Sequence, residues 1–442
     1  MENISKEVES NDIKIDKFFE VAKVIIYSII GIVVFFIPVT IDNQTKTILH
    51  HITYKLQVNY RGLLQLCTIV YITIGVIKST LSKHKSNLKK IYSYFSIFSI
   101  FIVISIFYDK YSIVLLDDNI SLILEETILN LITLLPLSAI FMPFILDFGL
   151  MDIVEAYCHK LMKKLFNLSG KSVLNIIMYI FNDCFCGYFM TNLLYKKGQI
   201  RQREACIILL NFSIASVSIS NYIAEELNIN KVNFFILSMF ILILVNTILC
   251  RTYPINKKKK SYYIKTNYKE SYFKSDKLIN SINKHIQNKE DINIFKSMIK
   301  NFEESIHIII RLIPNLVLIM YLGNIIINNI NIIYDLKIVF SYILEILRFD
   351  NIDEISVFLV NGFFNDVIAI DLLKKNIGYT SKLLIGIICI LKCTSITTNI
   401  LYLETTNITI NKIEFLISYI LRIILILLIS YMIIYLYSIY TI

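Results

Sequence analysis

The sequence contains few charged residues. Aspartate, glutamate, lysine and arginine make up 18% of the 442 residues, whereas soluble domains carry about 25%. Hydrophobic residues make up 56% of the chain, and its mean hydropathy is +0.63. Uncharged runs at residues 205–224 and 232–250 are each long enough to cross a bilayer as a helix. These values exclude an ordinary soluble protein and predict an all-α polytopic membrane protein.

Short motifs for common enzyme chemistry are missing. The sequence has no P-loop, no intramembrane metalloprotease motif and no Gly-x-Ser-x-Gly nucleophile elbow, and its histidines form no catalytic cluster. No two of its 8 cysteines have the spacing, or the neighbouring ligand residues, of a zinc site. We therefore expect neither an enzyme nor a resident cofactor or metal. Cys184 and Cys186, which lie in a polar interruption, leave a soft-metal or redox role open.

We expect no secretory signal peptide, because the first 17 residues are polar and precede a full-length apolar run. Positive charge is concentrated at residues 251–300, which hold 13 Lys/Arg and 4 Asp/Glu. Such a surplus can mean nucleic-acid binding, but in a membrane protein it is typical of a basic cytoplasmic loop beside anionic lipid. We therefore predict the lipid bilayer, and no nucleic acid, as a partner.

Charge between the apolar runs predicts the topology. Residues 1–17 are expected to form a loosely ordered cytoplasmic tail, followed by three N-terminal spans within residues 18–108, at 18–40, 62–81 and 91–108. The adjacent His50 and His51 in the first external connection point to different helix faces, so we expect both to be polar side chains at the protein surface. The whole pattern predicts about nine spans in a bacterial cytoplasmic membrane, with the N-terminus inside.

Residues 172–198 do not fit a simple span. The stretch is mostly apolar, but Asn182, Asp183 and Gly187 interrupt its middle, and basic residues flank both ends. A crossing helix prefers positive charge on one side only. The pattern therefore favours a re-entrant hairpin that enters the membrane from the cytoplasm and returns. Irregular backbone at that depth survives only when it is buried in protein or lines a water-filled cavity.

The same order of parts occurs twice. Residues 127–250 read as a span, an amphipathic helix, an interrupted hairpin and two further spans, and residues 305–440 repeat that order. The second hairpin is interrupted at Asn361, Asn365 and Asp366. Because the first copy begins outside and the second inside, we predict an inverted repeat with two opposed re-entrant hairpins, an architecture of many secondary transporters.

The hairpin tips supply the candidate solute-binding residues. Helix ends that break at the midplane leave N–H and C=O groups without partners, and an intramembrane Asp costs roughly 2.5–3.5 kcal/mol on insertion scales. We therefore predict that Asn182, Asp183, Asn361, Asn365 and Asp366 contact a solute. Capping of the second half-helix is an equally open interpretation of the two aspartates.

Other polar residues lie inside the predicted spans. Ser213 and Ser216 share one face of residues 205–224, which favours close helix packing, with lining of a solute path as the alternative. Arg422 is expected to snorkel to the membrane surface or to pair with an acid. Lys392 lies near the middle of its span and is a candidate to face a cavity.

A family resemblance begins near Pro143. Its residues are Pro143-Phe144, Gly149-Leu150, Asp152, Gly187, Thr191, Leu194-Tyr195, Gly198, Arg203-Glu204-Ala205 and Phe212-Ser213-x-x-Ser216. In this spacing the chain resembles YjiH-like bacterial membrane proteins, which carry the nucleoside-recognition or Gate domain. The second tip matches the family more loosely. The resemblance implies two Gate-like repeats, at 127–250 and 305–440, and it adds Gly187 and Thr191 to the candidate substrate-binding residues.

Two functions follow from these patterns. The favoured one is a secondary transporter or permease of a small polar solute, either nucleoside-like or an ion. The alternative is a non-transporting Gate-domain membrane protein with a sporulation or assembly role, because proteins that the chain resembles include sporulation membrane proteins. The substrate, the coupling ion, the direction of transport and the oligomeric state stay open.

Overall fold

The computed structural model describes residues 2–42, 44–81, 87–108, 118–264, 276–287, 293–329, 332–361, 378–392 and 396–440. Within these ranges the chain is helical, apart from one two-stranded β-hairpin and short connections. This confirms the predicted helical class. The β-hairpin lies in the polar connection that follows the first predicted span.

The N-terminal part contains α1 (Glu2–Phe36), β1 (Pro38–Ile41), β2 (Gln44–Thr47), α2 (Ile48–Asn59), α3 (Arg61–Leu81) and α4 (Asn87–Tyr108). Helix α1 begins within the predicted tail, and the cytoplasmic location of that tail stays a prediction. The strands are antiparallel. The expectation that His51 lies at the protein surface is wrong, because its side chain is buried. Its Nε2 lies 2.8 Å from the carbonyl oxygen of Val39, and this contact holds α2 against β1.

The central part contains α5 (Asp118–Phe141), α6 (Pro143–Leu146), α7 (Leu150–Phe166), α8 (Ser172–Phe181), α9 (Cys184–Lys196), α10 (Gln202–Asn211), α11 (Val217–Glu226) and α12 (Lys231–Leu249). Helix α7 is the amphipathic helix expected before the hairpin. It ends at Asn167, whose left-handed backbone lets its N–H reach the carbonyl oxygen of Lys163.

The C-terminal part begins with a 3-10 turn at Ile255–Lys257 and contains α13 (Lys277–Gln287), α14 (Ile294–Asn329), α15 (Ile332–Ile346), α16 (Ile352–Asn361), α17 (Tyr379–Leu391), α18 (Ile396–Thr405) and α19 (Lys412–Tyr440). The predicted basic loop therefore includes a helix of its own and the first turns of α14. Helix α13 packs against α7, where His285 Nδ1 lies 3.0 Å from a carboxylate oxygen of Asp152.

Six helices in the described ranges are long and apolar enough to cross a membrane, at Phe18–Phe36, Arg61–Leu81, Leu124–Leu146, Lys231–Leu249, Ile294–Leu322 and Lys412–Ile433. Three of the nine predicted spans are not single helices. Residues 127–148 are interrupted at Met142, between α5 and α6, residues 205–224 are divided into α10 and α11, and residues 381–401 into α17 and α18. Hydropathy does not reveal these breaks, because the residues at the first break are themselves uncharged.

The two halves place similar elements in the same order. Helices α5 and α14 each contain an internal proline, Pro136 and Pro314, and pack along one another. Each half then continues to a broken helix and a long apolar helix, and the two last helices, α12 and α19, also pack together. The opposite orientation of the two halves across a bilayer stays a prediction.

Candidate functional site

Helices α8 and α9 form an antiparallel hairpin with a polar and aromatic interior. The Nδ2 of Asn175 donates to the hydroxyl of Thr191 at 2.8 Å. Four residues further along α8, the ring of Tyr179 meets the ring of Tyr188 edge to face, with centroids 5.7 Å apart. The chain therefore reverses between these contacts, at residues 182–183. The hairpin shape agrees with the sequence prediction, whereas its entry into a bilayer stays a prediction.

Gly187 and Thr191 lie inside this hairpin. A Cβ atom at Gly187 would lie 2.6 Å from ring atoms of Tyr179, which is closer than such atoms can approach, so only glycine fits there. The Thr191 hydroxyl donates to the Gly187 carbonyl oxygen at 2.7 Å. Both residues are buried, and neither lines the cavity described below. Their position holds the two helices together and so positions the tip.

The hairpin tip is formed by Asn182 and Asp183. Asn182 is 1% exposed, and its Nδ2 donates to the carbonyl oxygen of Phe35 at 3.0 Å, which ties the tip to the end of α1. Its Oδ1 has no hydrogen-bond partner among the described residues. Asp183 occupies the N-cap position of α9, where its carboxylate interacts with the backbone N–H groups of Cys184 and Phe185. Capping and solute contact therefore both stay open as interpretations of this aspartate.

Next to the tip, the chain between α10 and α11 is extended. Residues 213–216 have no regular structure, and Ser216 takes the N-cap position of α11 without a side-chain capping bond. The backbone N–H of Ala215 donates to the carbonyl oxygen of Ile390, in the last turn of α17, at 3.0 Å. The first helix break, between α10 and α11, therefore contacts the end of α17, which is the half-helix before the second break.

A cavity of about 410 Å³ lies between the hairpin tip, the first helix break, α2 and α5. Its lining residues are Lys46, His50, Thr53, Tyr54, Gln57, Glu126, Asn130, Leu134, Asn182, Asp183, Ile214, Ala215, Ser216, Ser218 and Ile219. The cavity thus brings together three of the predicted site residues, Asn182, Asp183 and Ser216. Helices α9 and α11 both begin at its wall, and helix N-termini carry partial positive charge.

One wall of the cavity was missed by sequence reasoning. Lys46 precedes α2, and His50, Thr53, Tyr54 and Gln57 follow at intervals of three or four residues, which places them on one helix face. The side chain of Gln57 reaches α5, where its Nε2 donates to Asn130 Oδ1 at 2.8 Å. That polar spacing is the signal from which this wall could have been predicted.

His50 is neutral at physiological pH. Burial, followed by the positive charges of Lys46 and His51, lowers the pKa of His50 to about 4. The basic side chain of Lys46 and the acidic side chain of Glu126 also line the cavity. The cavity wall therefore carries both signs of charge.

The opposite end of α9 is held by ion pairs. Lys196 Nζ lies 2.6 Å from a carboxylate oxygen of Glu304 in α14. Lys197 pairs with Asp147, which is buried, and Asp147 also accepts a hydrogen bond from Ser297 at 2.7 Å. The base of the hairpin is thereby tied to α14 at two points.

The side chain of Glu204, in the Arg203-Glu204-Ala205 motif, accepts hydrogen bonds from two parts of the chain. One of its carboxylate oxygens accepts from the backbone N–H of Arg201 at 2.9 Å, which closes a capping box at the start of α10. The other accepts from the backbone N–H of Ser169 at 3.0 Å. This buried carboxylate therefore joins α10 to the turn that precedes the hairpin.

Among the remaining predicted site residues, Ser213 is described and does not line the cavity. Ser213 is buried at the first break, next to the cavity-lining Ile214. Asn361 is the last residue of α16, and its side chain lies outside the described part of the structure. Asn365 and Asp366 also lie outside the described residues, so the second tip stays a prediction.

Residues 128–230 match the family model Gate, described as nucleoside recognition. The match includes the hairpin tip and the first helix break, and it confirms the Gate resemblance over these residues. Together with the six apolar helices, it indicates a transporter-like transmembrane protein.

Among curated proteins, an uncharacterized protein of Alkalihalophilus pseudofirmus is 30% identical over 128 residues. The aligned region makes up 28% of this chain and 28% of that relative. No solved structure matches the chain.

Proposed function

We propose that this chain is a secondary transporter or permease that moves a small polar solute, similar to a nucleoside, across a bacterial cytoplasmic membrane. The observation that carries the proposal is the polar cavity of about 410 Å³ between the hairpin tip, the first helix break, α2 and α5. Its volume lies within the range of about 300–1,000 Å³ that is usual for small-molecule sites. The Gate match spans both the tip and the break.

The chemistry of the wall favours a neutral polar solute over a simple ion. Gln57, Asn130 and Asn182 contribute amides, which offer donors and acceptors together. The edge of a nucleobase needs both kinds of partner, and the ring of Tyr54 supplies a flat apolar surface. Because lysine and carboxylate side chains both line the cavity, neither a bare cation nor a bare anion meets a wall of uniformly opposite charge.

The predicted topology supports an outward-facing cavity. The polar connection between α1 and α3 and the beginning of α5 fall on the predicted external side, and they form two of the cavity walls. The base of the hairpin, with Lys196 and Lys197, falls on the predicted cytoplasmic side, as does the N-terminus. We infer that the ion pairs of Lys196 and Lys197 close the inner end while the cavity is open to the outside.

The test is solute-dependent stabilisation of the purified protein, followed by uptake into vesicles. A panel of nucleosides, nucleobases, inorganic anions and inorganic cations is screened by thermal unfolding. We expect a nucleoside or nucleobase to raise the midpoint for the wild type and for Glu225→Gln, an exposed acid outside the cavity. The same compound should not stabilise Asp183→Asn or Asn182→Ala. If no member of the panel stabilises the wild type, the non-transporting alternative is favoured.

Membrane insertion of the hairpin can be tested by labelling. Single cysteines are placed at Lys160, which is exposed before the hairpin, and at Gln199, which follows it, in a background without the native cysteines. Both are expected to react with an impermeant thiol reagent from the cytoplasmic side only. Reaction from opposite sides would mean that residues 172–198 cross the membrane.

A further inference from the structure

We propose that helices α7 and α13 together form a binding surface for an anionic phospholipid of the predicted cytoplasmic leaflet. This surface, named here the α7–α13 surface, consists of Tyr157, Lys160, Leu161, Lys164, Lys277 and Leu278. It lies outside the cavity described above. The proposal therefore holds whether or not the chain transports a solute.

One face of α7 combines apolar and basic side chains. Tyr157, Lys160, Leu161 and Lys164 are spaced by three, one and three residues, which places them on one side of the helix. The side chains of Tyr157 and Leu161 are 53% and 59% exposed. The other side of α7 is buried in the protein, for example at Met162. Because the exposed face offers apolar contact and positive charge together, it fits the acyl chains and the phosphate of a lipid.

Helix α13 adds a third lysine to this face. Lys277 Nζ lies 5.5 Å from the centroid of the Tyr157 ring, and the neighbouring Leu278 is 47% exposed. None of Lys160, Lys164 and Lys277 forms an ion pair with a residue that the structure describes. A phosphatidylcholine headgroup brings its own positive charge next to these lysines, whereas an anionic headgroup does not. The charge of the surface therefore selects an anionic lipid.

The N-terminal end of α7 lies beside the beginning of a candidate span. A Cβ atom at Gly149, which precedes α7, would lie 3.0 Å from Val24 and 3.2 Å from the ring of His285. Val24 belongs to the apolar helix Phe18–Phe36, and His285 belongs to α13. Both α7 and α13 are thereby placed next to the first turns of this span.

The C-terminal end of α7 lies beside the end of another candidate span. Arg251, two residues after the apolar helix Lys231–Leu249, donates to the carbonyl oxygens of Leu165 and Lys164, each at 2.8 Å. The charge pattern predicts the same, cytoplasmic side for this end and for the N-terminal end. A helix that joins the ends of two spans on one side runs along the membrane surface, where lipid headgroups lie.

The α7–α13 surface is connected to the base of the hairpin. Asp152, in the first turn of α7, accepts from Lys171 Nζ at 2.9 Å and lies 3.0 Å from His285 Nδ1. Lys171 directly precedes α8. A lipid bound to α7 and α13 would therefore hold the base of the hairpin at the membrane surface.

The test uses the absence of tryptophan from the chain. Leu161→Trp introduces a single fluorophore at the centre of the surface, and the protein is reconstituted into phosphatidylcholine vesicles that contain brominated phosphatidylglycerol or brominated phosphatidylcholine. Quenching by each brominated lipid gives their relative binding constant. We expect a preference for phosphatidylglycerol of about fivefold for each lysine that contacts the headgroup, and it should fall at high NaCl concentration because salt screens the attraction.

Two controls separate the lysines from general lipid contact. Phe240→Trp places the fluorophore on an exposed, uncharged part of α12, and it should be quenched equally by the two brominated lipids. Lys160→Gln combined with Lys164→Gln should lower the preference at the Leu161→Trp fluorophore. Lys78→Gln, at the exposed end of α3, should leave that preference unchanged.

Several results would contradict the proposal. Equal quenching of Leu161→Trp by the two lipids, or a preference that survives loss of both lysines of α7, would show that these charges do not select a headgroup. Absence of quenching by either lipid would show that something else, such as a second copy of the chain, covers the surface. Where Leu161→Trp does not fold, Leu278→Trp is measured in the same vesicles, with the same preference expected.

Discussion

The two ends of α9 differ in how their polar groups are bound. At the N-terminal end, Asp183 forms no ion pair with the residues that the structure describes, and it lines a cavity. At the C-terminal end, Lys196 and Lys197 form ion pairs with Glu304 and Asp147. The base of the hairpin is thus fixed to the rest of the protein, whereas its tip keeps polar groups available to something that enters the cavity. Substitutions at the base of the hairpin should therefore lower stability, whereas substitutions at its tip should weaken solute binding.

The largest expected effect on stability is at the base. Asp147→Ala removes a buried carboxylate from its contacts with Lys197 and Ser297. Breaking a fully buried pair costs about 3–5 kcal/mol, and because Lys197 is 32% exposed we expect about 2 kcal/mol. Chemical unfolding measures the change. The control is Glu225→Ala, whose pair with Lys231 is exposed on both sides, and its loss should be below about 0.5 kcal/mol.

Gly187→Ala tests the packing between base and tip. The new Cβ atom would overlap the Tyr179 ring, and overpacking of this kind costs about 1–3 kcal/mol. The unfolding free energy should fall accordingly, whereas Gly62→Ala, which adds a Cβ atom into open space, should not lower it. A variant that is as stable as the wild type would show that α8 and α9 are not held in the described register.

The cavity wall should respond to pH through His50. Its pKa is lowered from 6.5 to about 4 in the folded protein, so its contribution to stability is fully present above about pH 6.5 and is lost as the pH falls towards 4. Each pKa unit corresponds to about 1.4 kcal/mol, and exposure to the cavity reduces the expected effect to about 1–2 kcal/mol. Unfolding midpoints of His50→Gln should fall less between pH 7 and pH 4 than those of the wild type. His307→Gln, at an exposed position, should follow the wild type.

The smallest effect on stability, and the largest on recognition, is expected at the tip. Asp183→Asn keeps the size of the side chain and an oxygen that can accept at the N-cap position, where Asn and Asp are about equally favourable, so the unfolding free energy should change by less than about 0.5 kcal/mol. Solute-dependent stabilisation should nevertheless disappear. A loss of stability as large as that of Asp147→Ala would contradict the contrast between the two ends of α9.

The hairpin was predictable because its signal is local. Asn182 and Asp183 interrupt an apolar stretch with positive charge at both ends, and that pattern can be read from consecutive residues. The capping box of Glu204 is similarly local, because it joins residues three positions apart. Gly187 was singled out correctly as a special position, but its reason, the ring of Tyr179, becomes visible only when α8 lies against α9.

The helix breaks were not predictable from hydropathy. A helix in a membrane protein can end without charge or proline when its freed backbone groups find partners elsewhere. For the first break those partners are Ile390, Asn246 and Arg422, and two of the three lie more than a hundred residues away in the sequence. The same distance explains why Arg422, expected to snorkel or to pair with an acid, was not recognised as the residue that binds Leu210.

Composition and the local charge pattern were enough to predict a helical membrane protein in which residues 172–198 reverse direction at Asn182 and Asp183. The Gate resemblance over this region came from motif residues and their spacing. Tertiary contacts were needed to show that α2 forms a cavity wall, that residues 205–224 and 381–401 are each divided into two helices and that Arg422 binds at the first break. Each of these depends on hydrogen-bond partners or neighbours that are remote in the chain, and local sequence pattern carries no information about which remote groups will meet.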